Sequence, residues 1–369
     1  MISLRRAKVL LGCLALATPL LAYPEPKYKH YVPSKWNTVG WGIYGSDIAP
    51  VIRVKPGEVV KIDISNPFGI NRANPRKFFA DNKISEDLPI VQEMLEILEK
   101  TPYDPTGLRG ALLTGPVFVE GAEPGDTLEV RIHDVRLRAP WGAISTSRAG
   151  SHPLGDLVPR PWSKIMRIDM EREVGIFEEG KIELPLAPFM GQMGVAPPQS
   201  AGRFGAGPPT ATHGGNFDLQ ELTRGATLYL PVNVNGALFF TGNGHAAQGN
   251  GEISGPGFET SLCGYFEFIV HKKKPLKTPW VETPTHYIFL GMHDSLDDCV
   301  RQATLQAVEF LQQKEKLDFY DAYAVSSASL DLAVSRALVP MQMAFAYLPK
   351  HLFANKPDYW FKGAMPVKY

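Results

Sequence analysis

Runs of alternating apolar and polar residues, punctuated by proline and glycine, constrain this chain more than any other feature. The segment Pro50 to Ser65 reads PVIRVKPGEVVKIDIS: a β-branched run, a turn at Pro56-Gly57, then apolar residues at Val60, Ile62 and Ile64. A period of two puts those three side chains on one face of a strand, and Pro-Gly is a turn signal. The pattern returns at Pro116 to His133, PVFVEGAEPGDTLEVRIH, with its turn at Pro124-Gly125. The pair reads as a duplicated strand–turn–strand unit. Lys164 to Leu186 alternates again, and strands resume from Leu222 to Thr241 around ATLYLPVNVNGALFF. A total of 34 Gly and 32 Pro suits many short strands and excludes a helical bundle.

Helical spacing is confined to a few places. Leu88, Val91, Leu95 and Leu98 predict a helix within Asp87 to Lys100. Ser295 to Asp298 forms a capping box, followed by Leu296, Cys299, Val300, Ala303 and Ala307 on one face. Tyr320 to Val339 has room for one or two further helices. The expected class is α+β: a β-rich sandwich or barrel-like body to about residue 280, with helices appended towards the C-terminus. The Gly-, Pro- and Ala-rich stretch Met190 to Thr212 reads as a structured functional loop, because periodic segments flank it.

The 369 residues, 44% hydrophobic, suffice for one large domain or two intimate ones. Lys plus Arg (38) balances Asp plus Glu (38), so there is no broad basic field for nucleic acid or an anionic membrane. The N-terminus reads as an export signal over residues 1–22: Arg5, Arg6 and Lys8, an apolar run from Val9 to Leu21, then cleavage after Ala22. The predicted location is periplasmic or secreted, with no membrane span left once the signal is removed. Losing three of 38 basic residues against 38 acidic ones leaves a charge of −3. A lipid anchor at Cys13, after Leu10-Leu11-Gly12, is the rival, but its apolar core is too short. Export would leave Cys263 and Cys299, for which two readings stand: a disulfide, or two buried thiols.

Three blocks carry a family resemblance: GPVFVEGAEPGDTLEV (115–130), ELPLAPFMGQMGVAPP (183–198) running to GPPTATHGGNFD (207–218), and LYLPVNVNGALFFTGNGHAAQGNGEISG (228–255). In this order, with the closing segment DLAVSRALVPMQMAFAYLPKHLF, the chain resembles the acetamidase/formamidase family over nearly its whole length after the leader. The resemblance implies a hydrolase of small aliphatic amides, of formamide or acetamide size, that assembles as a homo-oligomer. Two departures stand out. The family's GDGHAAQGDGE has Asn243 and Asn250 here in place of acids, and the tail lacks a histidine near Phe345. They define the rival expectation, a binding or scaffolding relative that kept the fold without the chemistry.

Amide hydrolysis needs a strong nucleophile, a proton for the leaving amine and a hold on the oxyanion. Ser326-Ser327 lacks a Gly-rich elbow and reads as helix packing; Cys263 and Cys299 have no neighbouring base motif. Ligand-type residues concentrate instead in the second and third blocks. His213, Asp218, His245 and Glu252 form the candidate metal set, with chemistry suited to zinc or a similar divalent ion. Glu252 and His245 are the candidate catalytic pair, with Glu252 the general base if it is not itself a ligand. Asn216, Asn243 and Gln248 are candidates for binding the amide. The glycines among them, Gly214, Gly215, Gly242, Gly244, Gly249 and Gly251, would supply close backbone approach and N–H groups for an oxyanion.

Overall fold

A computed structural model describes residues 23–366, except 105–107, 109, 147–151, 208, 339–340 and 356–357. The predicted signal segment lies outside the described residues. Alternation becomes strands as expected: Val60, Ile62 and Ile64 point inward at 0–1% exposure, while Lys61 and Asp63 lie on the other face. Two large sheets result. A nine-stranded sheet is centred on the long pair Thr127–Leu137 and Leu262–His271, and an eleven-stranded sheet is built around Phe239–Ala247. They close on a common core in which Val130, Ile132, Phe266 and Phe268 of the first sheet join Val117, Val119, Met190 and Phe239 of the second.

The Pro-Gly turns do not close hairpins. Ile52–Val54 lies in the eleven-stranded sheet, parallel to Leu112–Val119, whereas Val59–Ile64 pairs with Leu262–His271 in the other. The second unit does the same, since Leu112–Val119 belongs to the eleven-stranded sheet and Thr127–Leu137 also borders Leu262–His271. Each turn therefore carries the chain from one sheet to the other. The two units occupy equivalent places, which accords with the duplication read from the sequence.

The helices follow hydrophobic spacing more loosely. Helix α1 (Pro75–Asp81), not foreseen, and α2 (Pro89–Lys100) pack Phe79, Val91 and Met94 against Trp141. Helix α3 (Leu296–Glu315) starts at Ser295, whose Oγ accepts from Asp298 N at 3.4 Å, and buries Cys299, Ala303 and Ala307. Helix α4 (Phe319–Ser329) is shorter than expected. The residues that follow form the strand Asp331–Arg336, at the edge of the nine-stranded sheet. Local spacing there permits a helix, but pairing with Gln342–Pro349 decides for a strand. The chain beyond about 280 thus supplies both α3 and α4 and four strands of that sheet.

Cys263 and Cys299 are both buried and free, one on a sheet strand and the other in α3, so the disulfide reading is set aside. Cys299 Sγ instead faces the carbonyls of Gln342 (3.2 Å) and His293 (3.4 Å). Ser326 Oγ donates to Ala322 O at 2.8 Å, the helix-packing role read from the sequence.

Candidate metal centre and active site

The strand Phe239–Ala247 changes partners along its length. Its first half pairs with Leu112–Val119, and its end pairs with Phe258–Glu259. His245 lies at the changeover, fully buried, in register with Phe189 on one side and Glu259 on the other. The Phe189 ring lies 4.9 Å from the imidazole, and His245 Nε2 is 2.8 Å from Glu259 Oε1. The neighbouring strand is bare at Gly191 for a steric reason. A Cβ there would come within 2.7 Å of Asp218 Oδ1 and 2.8 Å of His245 Cε1.

Two turns deliver carboxylates to this histidine. Asp218 follows the short strand Gly214–Asn216 and is tied by its N–H to Gly191 O at 3.1 Å. Glu252 follows Gly251 in the loop leaving the histidine strand, with its N–H on Gly249 O at 3.3 Å. Both hold left-handed backbones, φ 44° and 45°, as does Asn243 at 50°. For residues with a Cβ such geometry costs about 1–3 kcal/mol each, and it clusters at functional sites. The surrounding sheet supplies that energy.

Among the described residues, ligand atoms of Asp218, His245 and Glu252 form one group within 4.8 Å of one another. Glu252 Oε1 is 3.9 Å from His245 Nε2, and Arg336 Nε is 3.8 Å from Asp218 Oδ2. Burial, then the charges of Asp218 and Glu259, holds the Glu252 carboxyl well above its ordinary range. Burial also raises Asp218. Desolvation pulls the His245 imidazole down, but the carboxylates of Glu259 and Asp218 outweigh it and the net shift is upward. Several buried polar atoms of the cluster lack a hydrogen-bond partner: His245 Nδ1, Glu252 Oε2, Gln248 Oε1 and Arg336 Nε. Such atoms normally find one, so their concentration here marks a place built for something else to occupy.

The structure brings together three of the four candidate ligands. His213 is the exception. Its Nδ1 faces Thr210 Oγ1 (2.9 Å) and Thr212 Oγ1 (3.2 Å), and its ring packs on Tyr44 and Phe204. Burial alone pushes its pKa down to about 4, so it is a neutral turn histidine rather than a member of the group. Asn216 and Asn243 do reach the cluster. The Asn216 amide donates to Asp218, and Asn243 Nδ2 lies 3.4 Å from both Asp218 Oδ1 and His245 Nε2. Gln248 donates to the Asp218 carbonyl at 2.7 Å, whereas Asn250 accepts from Gln220 outside the cluster. Gly242 and Gly244 serve sheet packing rather than an oxyanion: a Cβ on either would strike the carbonyl of Leu112 or Thr260, at 2.2 and 2.5 Å. Near Phe345 the chain is filled by core packing, with that ring 4.9 Å from Tyr347.

Sequence reasoning missed Glu259, Arg336 and Asn66. Glu259 is a lone acid in an apolar stretch, and Arg336 sits in a segment read as helical. Asn66 Nδ2 donates to Glu259 Oε2 at 2.5 Å. A cavity of about 10 Å³, between Asn66, Phe78, Trp141 and Glu259, reaches this edge of the cluster. A cavity of about 330 Å³ beside Trp41, Tyr103 and Phe240 includes no residue of the cluster.

The sequence model of the Acetamidase/Formamidase family matches residues 108–203 and 200–355, which include Asp218, His245, Glu252, Glu259 and Arg336. The chain belongs to the acetamidase/formamidase family. It is 28% identical over 317 residues to a formamidase of Methylophilus methylotrophus, covering 65% of this chain and 76% of that one. It superposes on an acetamidase from Bacillus halodurans with a TM-score of 0.72 at 27% identity, covering 89% of this chain and 100% of the other. A predicted acetamidase/formamidase from Thermoanaerobacter tengcongensis gives 0.73 at 28% identity, over 89% and 98%. With this family comes its reaction class, hydrolysis of carbon–nitrogen bonds other than peptide bonds in linear amides.

Proposed function

We propose that the protein hydrolyses small aliphatic amides of the formamide and acetamide type to carboxylate and ammonia, with water activated at Asp218, His245 and Glu252. The observation that carries this is the convergence of those three buried groups, with Glu252 Oε2 and His245 Nδ1 unpartnered. Charge accounting supports a divalent cation there. Deprotonated, as binding an ion requires of them, Asp218, Glu252 and Glu259 would bring three negative charges against one positive on Arg336, leaving two to neutralise. Mixed imidazole and carboxylate donors suit zinc. When bound, such an ion would lower the pKa of water and polarise the amide carbonyl.

The chain's own residues supply the rest. Glu252, with one bare oxygen in a buried setting, is placed to take a proton from the attacking water and return it to the departing nitrogen. Asn216 and Asn243 offer amide groups to the substrate, and Arg336 contributes positive charge where the oxyanion develops. The ligand group assembles without acids at Asn243 and Asn250, which weighs against a purely scaffolding role.

Metal analysis and ammonia release by the purified protein test this reading. Stoichiometric divalent metal is expected, with turnover of formamide or acetamide. Glu252→Gln should lose about 100-fold or more. A metal-free protein inert to both amides would overturn the proposal. We further propose export by residues 1–22, to the periplasm or out of the cell, and self-association of the mature chain. A reporter fused after Ala22 that stays in the cytosol, or sedimentation as a monomer, would count against these. Among the described residues no helix is long and apolar enough to cross a membrane.

A further inference from the structure

Glu259 differs from Glu252 in having both oxygens engaged. Oε1 lies 2.8 Å from His245 Nε2 and Oε2 accepts from Asn66 Nδ2 at 2.5 Å, whereas Glu252 Oε2 has no partner. The orientation of Asn66 is fixed by groups with only one possible role. Its Oδ1 accepts from Phe68 N–H at 3.1 Å, so its amide nitrogen must face the other way, towards Glu259 and towards the Gly244 carbonyl at 3.1 Å. Asn66 N–H is itself held by Ser261 Oγ at 2.9 Å. Asn66 and His245 thus both donate to Glu259, one to each carboxylate oxygen, in a linked set of three side chains. It is anchored in backbone at one end and ends in the cluster at the other.

We propose that Glu259 is a positioning residue, which accepts the Nε2–H of His245 and thereby fixes the orientation and tautomer of the imidazole. A neutral ring held in this way carries its lone pair on Nδ1, the ring nitrogen that is buried without a partner. Glu259 acts through His245; it is Glu252 that keeps a free oxygen for chemistry. The proposal rests on reading this cluster as the active centre, and it extends that reading to a residue outside the ligand group.

The test uses the full chain and a readout that moves only if the tautomer matters. In Glu259→Gln, Asn66 still donates to the side-chain oxygen, so the new NH₂ faces His245 Nε2 and can only donate to it. Long-range ¹H–¹⁵N correlation at alkaline pH, with His245 assigned by its own replacement, should show Nε2–H in the parent and Nδ1–H in the variant. Zinc affinity by chelator competition should fall about 10–100-fold, the usual penalty for losing such a partner. For formamide, kcat should fall with KM nearly unchanged. Retention of the Nε2–H tautomer together with parental zinc affinity would overturn the proposal. If Glu259→Gln fails to fold, Asn66→Ala keeps the carboxylate but frees it. It should weaken zinc binding in the same direction by a smaller factor, and unchanged affinity would again refute the role. Should the parent bind no metal and turn over no amide, the amidase reading fails, but the tautomer comparison still decides the role of Glu259.

Discussion

Replacing Gly191 with alanine probes whether the cluster is the reaction centre without removing any of its functional groups. The new Cβ would lie 2.7 Å from Asp218 Oδ1 and 2.8 Å from both Asn243 O and His245 Cε1. Non-bonded heavy atoms rest about 3.5 Å apart, so these neighbours must retreat by about 0.7 Å. They have little room. Asp218 and His245 are 1% and 0% exposed, and Asn243 is held in a strand. The backbone itself does not resist, because Gly191 does not adopt a positive φ. Overpacking of this kind costs about 1–3 kcal/mol of stability. A displacement approaching 1 Å at reacting groups costs about 100-fold in rate. Gly257 provides the graded control, since its Cβ would meet His245 Cδ2 and Gln248 Oε1 at 3.1 Å and should cost less on both scales. Ammonia release gives kcat/KM and urea denaturation gives stability for both variants. A folded Gly191→Ala protein with parental kcat/KM would show that the reaction does not occur here.

Two further outcomes follow from buried charge. The folded-state pKa of His213, about 4, lies below its ordinary 6.5, so on acidification the unfolded chain takes the proton first. Stability should therefore drop by up to about 3 kcal/mol as pH falls from 6.5 to 4, and His213→Gln should flatten that slope in urea titrations; an unchanged slope would refute the assignment. Lys350, 5% exposed, pairs with Glu282 Oε1 at 2.6 Å beneath the Tyr359 ring. Lys350→Met would strand a buried carboxylate and should cost about 3–5 kcal/mol by urea denaturation, whereas a loss below 1 kcal/mol would mean water reaches Glu282.

Much of the architecture was legible because its signals are local. The alternation at Val60, Ile62 and Ile64 needs only a period of two, and the start of α3 needs only Ser295 and the residues just after it. The chemistry was legible in kind, since imidazole and carboxylate types concentrate in the blocks around residues 213–218 and 243–252. Asp218, His245 and Glu252 do converge, and Asn216 and Asn243 reach them.

Partnership was not legible, because a strand's neighbours are chosen by the whole sheet. No local pattern distinguishes a Pro-Gly turn that closes a hairpin from one that crosses between sheets. None marks Asp331–Arg336 as an edge strand that brings Arg336 to Asp218. His213 carries the right chemistry in the right motif, yet it turns to Thr210 and Thr212. Glu259 carries no motif, yet it is fixed opposite His245 by the register of two strands. The sequence by itself determined which residue types were present and how each short segment tends to lie, because both follow from neighbours along the chain. Which of those residues share a centre was decided only by tertiary structure, since that depends on pairings between segments far apart in sequence.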